Sequence, residues 1–218
     1  MRPGPAIRRL FGPWEHAVAE AYRRLFINLD DLASITRHWV PDAKHILEVG
    51  CGEGAMTERI VRAYPEAHVT SIDIRPNAGR LYRGPKDVVR FRQETVEQLA
   101  DREPNSFDLV ILADVMHHVP LDHRRSLLDA IQRALLPGGS LIFKDWVISR
   151  APIHWLCDSS DRYLTGDNVS YFTQQSLRSL VQGIFGPAAI RASRTVQPWR
   201  NNVALLVQPQ FVREMVQG

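Results

Sequence analysis

The chain has 218 residues, of which 44% are hydrophobic and 23% charged, so it can bury a sizeable core and is not a disordered protein. Its formal net charge of +3 gives little support for a nucleic-acid partner, and its two cysteines, Cys51 and Cys157, form neither a disulfide framework nor a zinc motif. No apolar run reaches the roughly 18 residues of a membrane span, and residues 1–10 are not a secretory signal. These features predict a cytoplasmic protein with no membrane-spanning segment.

The N-terminal stretch, residues 1–40, is predicted to form a helical cap ahead of the first strand. Apolar residues recur there at four- and three-residue steps and predict one apolar helix face: Ala17, Ala21, Leu25, Leu29 and Leu32. Residues 28–31 are the predicted break between two helices. Arg23 and Arg24 are expected on the exposed helix surface rather than at a ligand carboxylate.

A glycine-rich turn follows the first predicted strand, residues 45–49. Gly50, Gly52 and Gly54 alternate there, and a helix is predicted over residues 55–64. Strand, glycine turn and helix form the first half of a nucleotide-binding βαβ unit. The second strand, residues 68–73, ends at Asp73, 19 residues beyond Gly54. An acid at that distance accepts hydrogen bonds from ribose hydroxyls.

Two classes of ligand fit this unit. A dinucleotide-binding fold has the spacing G-x-G-x-x-G, whereas this chain has G-x-G-x-G. Glu48 stands just before the turn, where a carboxylate suits an ammonium group better than a phosphate. From the glycine triplet alone, an unrelated α/β protein with a glycine turn remains an alternative.

The rest of the chain alternates strands with helices, which predicts a mostly parallel sheet with helices on both faces. A short helix is predicted over Asn77 to Leu81 and a third strand over residues 88–92. The fourth strand, residues 107–112, is followed by a helix from Asp122 to Leu135, with Asp122 at or near its N-cap. The fifth strand covers residues 140–145.

Residues 146–171 interrupt the alternation and mix aromatic with charged side chains. A long connection of this composition is predicted to be ordered and functional, and we expect an acceptor-side lid. A helix from residue 173 to about 183 comes next. Two strands, residues 190–196 and 203–207, are separated so briefly that they predict an antiparallel hairpin at the sheet edge.

Four motifs in this order resemble those of the class I S-adenosylmethionine-dependent methyltransferases that act on small molecules. They are the stretch from Glu48 to Gly54, the acid Asp73, Phe107-Asp108 before apolar residues, and Leu136-Pro137-Gly138-Gly139 before an apolar strand. The resemblance implies an α/β fold with a Rossmann-like, doubly wound, seven-stranded sheet, mostly parallel with an antiparallel last strand. It implies a cap over residues 1–40 and a cofactor domain over residues 41–218 that includes the lid, residues 146–171.

The same resemblance implies S-adenosylmethionine as the cofactor and no metal. The implied cofactor-binding residues are Glu48, Gly50, Cys51, Gly52, Gly54, Asp73, Ile74, Thr95, Val96 and Ala113. Methyl transfer requires nucleophile, carbon and sulfur in line, and an acceptor that carries a proton also needs a base.

His117 is the predicted base, because a near-neutral imidazole accepts protons at physiological pH, and Asp145 is the second predicted catalytic residue. The alternatives are a packing role for His117 and an ion pair of Asp145 with Lys144 or an arginine. The predicted acceptor-binding residues are Tyr22, Asp114, His118, Trp146, Trp155, Tyr163 and Tyr171.

Three functional hypotheses remain open from the sequence. The first is methyl transfer to a small-molecule acceptor. The second is another displacement on the same cofactor, such as cyclisation of its aminobutyrate chain with release of methylthioadenosine, and the third is a non-catalytic cofactor-binding or partner-binding module. An RNA acceptor is disfavoured by the weak charge and the lack of an appended RNA-binding module. The acceptor, the acceptor atom (oxygen, nitrogen, carbon or sulfur) and a homodimeric state stay open.

Overall fold

A computed structural model of the protein describes residues 14–149 and 169–210, without the side chains of Val18 and Tyr22. The elements follow in chain order: α1 (Glu15–Phe26), α2 (Leu29–Trp39), β1 (His45–Val49), α3 (Ala55–Ala63), β2 (His68–Asp73), β3 (Val89–Gln93), α4 (Val96–Arg102), β4 (Phe107–Ala113), α5 (Arg124–Ala134), β5 (Leu135–Trp146), α6 (Gln174–Phe185), β6 (Ile190–Thr195) and β7 (Asn202–Val207). None of the helices in these two ranges has the length and apolar character needed to cross a membrane.

The seven strands described form one sheet in the order β3-β2-β1-β4-β5-β7-β6. Neighbours from β3 to β5 are parallel, and β7 runs antiparallel to both β5 and β6. This confirms the predicted mostly parallel α/β sheet with an antiparallel last strand. The chain leaves β1 in one direction towards β3 and returns to β4 on the other side, so the strand order reverses between β1 and β4. Open α/β sheets bind ligands at the carboxyl ends of the strands at such a switch point.

Helices cover both faces of the sheet. Leu99 of α4, Leu128 of α5 and Leu177 of α6 are fully buried in one core, and Leu32 of α2 and Ile60 of α3 are buried in the core on the other face. Burying one such side chain contributes roughly 1.5–3 kcal/mol, and double-sided burial explains why the central strands are almost continuously apolar. The carboxyl ends of the central strands are therefore held in place by a well-packed core on each face of the sheet.

The structure corrects several predicted boundaries. Residues 77–81 are not helical, because Asn77 and Gly79 have left-handed backbones (φ +65° and +71°) and the N–H of Gly79 donates to the carbonyl of Gly52 at 2.9 Å. Asp122 lies in a short turn before α5 and does not cap it. Strand β5 begins at Leu135 rather than residue 140, because Leu135 already pairs with Phe107.

The predicted apolar face of the cap is wrong for α1. Ala17, Ala21 and Leu25 are exposed there, whereas Glu15 is buried. The reason is ionic: Glu15 accepts two hydrogen bonds from Arg80, at 2.9 and 2.6 Å, so the acidic side of α1 faces the protein. In α2 the prediction is confirmed, since Leu29 and Leu32 are buried.

The loop between β6 and β7 holds the junction of α1 and α2. Trp199 donates from Nε1 to the carbonyl of Leu25 at 2.6 Å, and Asn202 donates from Nδ2 to the carbonyl of Phe26 at 2.8 Å. The N–H of Asn28 donates to the carbonyl of Gln197 at 2.7 Å, and the side chain of Asn28 caps α2. The cap is therefore anchored to the far end of the sheet. The division of the chain into a cap of residues 1–40 and a domain of residues 41–218 stays a prediction.

Candidate cofactor and acceptor site

Two adjoining cavities lie at the carboxyl ends of β1, β2 and β4. The β2-side cavity, of about 490 Å³, is lined by Asp73, Ile74, Thr95 and Val96 among others. The α1-side cavity, of about 320 Å³, lies between the glycine turn and α1. The two share four lining residues: Val49, Gly50, Asp114 and His118. Through these shared residues the two cavities form one continuous recess.

The glycine turn between β1 and α3 has a left-handed backbone at each glycine, with φ of +77° at Gly50, +54° at Gly52 and +93° at Gly54. A Cβ at Gly50 would lie 2.3 Å from Cγ2 of Val115, and one at Gly54 would lie 2.9 Å from Cβ of Tyr82. At Gly52 a Cβ would meet no protein atom within 4 Å. Gly52 therefore presents bare backbone to open space in the α1-side cavity, as a closely bound ligand requires.

Asp73 ties this turn to the tip of β2. Its carboxylate is buried and accepts hydrogen bonds from the N–H of Gly52 and the N–H of Arg75, both at 2.8 Å. Each carboxylate oxygen has two lone pairs, so each keeps capacity for a hydroxyl donor of a ligand.

The other predicted residues of the β2-side cavity differ in exposure and role. Val96 is buried, and Ile74 is 71% exposed at the rim. Thr95 caps α4: its hydroxyl oxygen accepts from the N–H of Gln98 at 3.3 Å, and its own N–H donates to the side chain of Gln98. A cap bond leaves the Thr95 hydroxyl hydrogen for a ligand acceptor.

Glu48, at the end of β1, is a buried acid on the wall of the α1-side cavity. Its Oε2 accepts from the hydroxyls of Thr57 at 2.5 Å and Ser71 at 2.8 Å. Burial raises the pKa of Glu48 to about 7, outweighing the two hydroxyl donors, and nearby Asp73 raises it further. Among the described residues, no arginine or lysine is hydrogen-bonded to Glu48. Its carboxylate could therefore pair with a positively charged group of a ligand in this cavity.

Cys51, beside Glu48, is a free thiol inside the glycine turn. Burial raises its pKa, and the charges of Glu48 and Asp73 raise it further. The thiol therefore stays protonated at neutral pH and packs rather than acting as a nucleophile.

His117 and Asp145 form a buried pair below the α1-side cavity. His117 Nδ1 lies 2.6 Å from Asp145 Oδ1, and the backbone N–H of His117 donates to Asp145 Oδ2 at 3.1 Å. Burial would raise the pKa of Asp145, but the charge and hydrogen bond of His117, the charge of Lys144 and the N–H of Trp146 lower it on balance. Asp145 is therefore an ionised acceptor that fixes the imidazole of His117 in one orientation.

Lys144 and Asp114 form a second ion pair. The Lys144 ammonium is fully buried, hydrogen-bonds to Oδ1 of Asp114 and lies 5.3 Å from the ring centre of Trp146. Asp114 has a left-handed backbone (φ +56°), and its side chain is 29% exposed on the wall of both cavities. The predicted alternative partner of Lys144, Asp145, instead bonds to His117.

Aromatic rings lie beside His117 and Trp146. Tyr171 stacks on His117 with ring centres 5.4 Å apart, and the ring centre of His118 lies 4.0 Å from that of His117. Phe26 meets Trp146 edge to face at 6.5 Å. Trp155 and Tyr163 lie outside the described residues, as does the side chain of Tyr22.

Two cavity residues differ from the sequence-based expectation. Arg23, expected on the exposed surface, lines the α1-side cavity and pairs with Glu20. Phe26 also lines it, and no motif marks that position. Both residues face the cavity because acids of α1 pair with Arg59 and Arg80, and these ion pairs turn this side of α1 towards the protein.

One group of three residues described by the structure has metal-ligand geometry. Asp114, His117 and Asp145 bring one ligand atom each to within 4.8 Å of one another. The Lys144 ammonium already compensates Asp114, and His117 already bonds to Asp145, so a divalent cation would have to displace both contacts. The group is therefore better described as two ion pairs.

Comparison with known proteins agrees with this geometry. Residues 47–143 match the methyltransferase domain family. A ubiquinone biosynthesis O-methyltransferase of Hahella chejuensis is 36% identical over 117 residues, which make up 52% of this chain and 47% of that protein. The protein of the same description from Pseudomonas aeruginosa is 33% identical over 140 residues, 60% of this chain and 58% of that protein. The chain thus spans about half the length of the curated relatives it matches.

A solved structure shows the same fold. The Burkholderia thailandensis 1,6-didemethyltoxoflavin-N1-methyltransferase, bound to 1,6-didemethyltoxoflavin and S-adenosylhomocysteine, aligns with a TM-score of 0.68 and 18% identity over 94% of this chain and 88% of that one. Residues 47–143 therefore resemble a methyltransferase domain, and the described fold is similar to that of a solved methyltransferase bound to S-adenosylhomocysteine. The glycine turn and the acid at the tip of β2 lie within the matched residues.

Proposed function

We propose that the protein transfers a methyl group from S-adenosylmethionine to an oxygen atom of a small-molecule acceptor in the cytoplasm. The observation that carries this proposal is the buried His117–Asp145 pair at the α1-side cavity, because a hydroxyl acceptor has a proton that a base must remove. The O-methyltransferase relatives support an oxygen acceptor. The modest net charge and the α1-side cavity of about 320 Å³ favour a small molecule over a nucleic acid.

The residues around the two cavities suit the parts of the cofactor. We assign its ribose to Asp73 and its adenine to Ile74, Thr95 and Val96. We assign its amino acid portion to the glycine turn, to Ala113 and to Glu48, whose carboxylate matches an ammonium group. When bound, the cofactor supplies an electrophilic methyl group on a positively charged sulfur.

The His117–Asp145 pair supplies the base. Asp145 accepts the Nδ1–H of His117, and we assign the removal of the acceptor's hydroxyl proton to the other ring nitrogen, Nε2. The ionised Asp145 then stabilises the imidazolium that forms, and its second oxygen holds the His117 backbone in place. Asp145 is thus a positioning residue that acts through His117.

We assign the acceptor to the aromatic side of the α1-side cavity, where Trp146 and His118 lie opposite Phe26 and Arg23 of α1. Asp114 borders the same space, and Tyr171 supports His117 from behind. Tyr22, Trp155 and Tyr163 stay proposed acceptor contacts on the sequence pattern alone.

The proposed reaction is tested with purified protein, S-adenosylmethionine and a panel of phenols, carboxylic acids and amines, with products identified by mass spectrometry. We expect S-adenosylhomocysteine only when an acceptor is present, and an O-methylated coupled product, which is a methyl ether from a phenol or a methyl ester from a carboxylic acid. Methylthioadenosine released at a catalytic rate without an acceptor would contradict methyl transfer. Methylation of amines but not hydroxyls would contradict the oxygen acceptor.

Asp73 is expected to contribute strongly to cofactor affinity. Replacing Asp73 with alanine should weaken S-adenosylhomocysteine binding by roughly 1.5–3 kcal/mol, because charge-assisted hydrogen bonds to ribose are lost. Asp73→Asn should lose less, since its amide oxygen can still accept from the N–H of Gly52. Isothermal titration calorimetry measures both, with the exposed acid Asp122 replaced by alanine as the control. Unchanged affinity of Asp73→Ala for S-adenosylhomocysteine would show that Asp73 does not bind the ribose.

Glu48 is expected to make stability and cofactor binding depend on pH. Its pKa of about 7 in the folded protein exceeds the ordinary 4.5, so the folded state holds the proton more tightly than the unfolded chain. The contribution of Glu48 to the free energy of unfolding of the cofactor-free protein should therefore fall by roughly 3 kcal/mol as pH rises from 4.5 to 7. Denaturant titrations across this range should show the wild type losing about this much stability relative to Glu48→Gln.

Cofactor binding gives a second readout of Glu48. An ammonium group beside it favours the ionised carboxylate, so binding near pH 7 should release a proton. Calorimetry in two buffers of different ionisation enthalpy should therefore give different apparent enthalpies for the wild type and nearly equal ones for Glu48→Gln. Equal apparent enthalpies for the wild type in the two buffers would show that Glu48 does not lose a proton when the cofactor binds.

A further inference from the structure

Helix α1 carries its apolar residues on the side that faces away from the protein. Trp14, just before the helix, is 70% exposed, Leu25 is 51% exposed, and Ala17 and Ala21 are exposed between them. Positions spaced by three and four residues share one side of a helix. These four residues and Arg24, which is also exposed, are called the α1 outer face.

The acids of α1 lie on the opposite side. Glu15 bonds to Arg80 and Glu20 bonds to Arg59, so neither contributes an unpaired negative charge to the outer face. The exposed acid just after the helix, Asp30, lies 3.4 Å from Arg62 and 3.5 Å from Arg59. The outer face is thus apolar and free of uncompensated acids.

Among the described residues, basic side chains lie within this face and near it. Arg24 lies within it, and Arg200 is exposed next to Trp199, whose indole donates to the carbonyl of Leu25. The sequence directly before Trp14, residues 1–13, contains three arginines and no acid. The partner of this face should therefore be both apolar and negatively charged.

We propose that the α1 outer face docks on the surface of an anionic lipid bilayer. Tryptophan favours the membrane–water interface, and arginines beside an apolar strip are attracted to anionic headgroups. A second copy of the chain fits less well, because a twofold axis would bring the arginines of the two copies together. The proposal concerns surface docking and does not depend on the proposed function.

Docking has a consequence for the acceptor, and this consequence does rest on the proposed function. The inward side of α1 contributes Ala19, Arg23 and Phe26 to the α1-side cavity. A bilayer against the outer face therefore lies about one helix diameter, roughly 10 Å, from that cavity. A lipid-soluble hydroxyl compound would have a short path to His117.

Vesicle sedimentation with the full chain tests the docking. We expect the wild type to sediment with vesicles of phosphatidylcholine and phosphatidylglycerol, to remain in solution with phosphatidylcholine alone, and to bind less as sodium chloride is raised. Ala21→Glu should weaken binding roughly 5- to 10-fold, since each charge near an anionic surface is worth about 1 kcal/mol. Ala21→Lys, of similar size and helix propensity, should bind at least as well as the wild type.

Leu121→Glu is the matched surface control, because Leu121 is 70% exposed outside the outer face and should tolerate the acid without loss of binding. Circular dichroism checks that the variants remain folded. The proposal is overturned if the wild type ignores anionic vesicles, if Ala21→Glu and Ala21→Lys behave alike, or if Leu121→Glu loses as much binding as Ala21→Glu. It is also overturned if light scattering shows a wild-type dimer that Ala21→Glu separates, because the face would then be covered by a second copy.

Discussion

Replacing His117 with alanine should lower kcat by roughly 10²- to 10⁴-fold, the usual contribution of one positioned acid–base group. Cofactor affinity should change little, because none of the cofactor contacts assigned above involves His117. The wild-type rate should fall as the pH drops and His117 becomes protonated, since a protonated imidazole cannot accept the acceptor's proton. This pH dependence should disappear in the variant. Steady-state kinetics across pH, with calorimetry for S-adenosylhomocysteine, measures both effects.

Two further variants make this test specific. Asp145→Asn should reduce kcat through the orientation of His117, so adding it to His117→Ala should cause little further loss. His38→Ala is the control, because His38 is exposed on α2 and lines neither cavity. A His117→Ala enzyme with wild-type kcat would show that the imidazole packs and does not act as a base.

Replacing Gly52 with valine should abolish detectable cofactor binding while the protein stays folded. The new side chain would project into the α1-side cavity, where no protein atom lies within 4 Å of the added Cβ, so it would collide with the cofactor rather than with the fold. The left-handed backbone at φ +54° adds a strain cost of roughly 1–2 kcal/mol. Calorimetry for the cofactor and a thermal melt separate the two effects.

Gly138→Val is the matched control for this strain. Gly138 also has a left-handed backbone, at φ +85°, with no atom within 4 Å of an added Cβ, but it lies within β5 away from both cavities. Both valine variants should lose similar stability, and only Gly52→Val should lose the cofactor. Equal cofactor affinity in the two variants would assign the glycine turn a structural role alone.

The proposed cofactor half of the site can be predicted from the sequence because the contacts among its residues are local. Gly50, Gly52 and Gly54 act through their own backbone, and Asp73 ends the next strand, so short-range spacing places all four together. The alternation of strands and helices likewise predicts the parallel sheet. The hairpin follows from the short separation of its strands, and the structure confirms that β7 is antiparallel.

The proposed acceptor half depends on contacts that no local sequence pattern encodes. His117 and Asp145 stand 28 positions apart, and only the packing of β4 beside β5 shows that they are partners. The predicted apolar face of α1 failed for a related reason. Apolar periodicity identifies an amphipathic helix but not which side faces the protein, and the salt bridges of Glu15 and Glu20 with distant arginines decide that.

The position of β7 has a consequence for folding during synthesis. Because β7 lies between β5 and β6, the sheet cannot be completed until the chain has been made to Val207, although β5 is finished at Trp146. At typical translation rates these 61 residues take roughly 3–12 s. During that interval the edge of β5 has no strand partner and is open to pairing with other chains. Nascent chains arrested before Asn202 should therefore aggregate more than full-length chains.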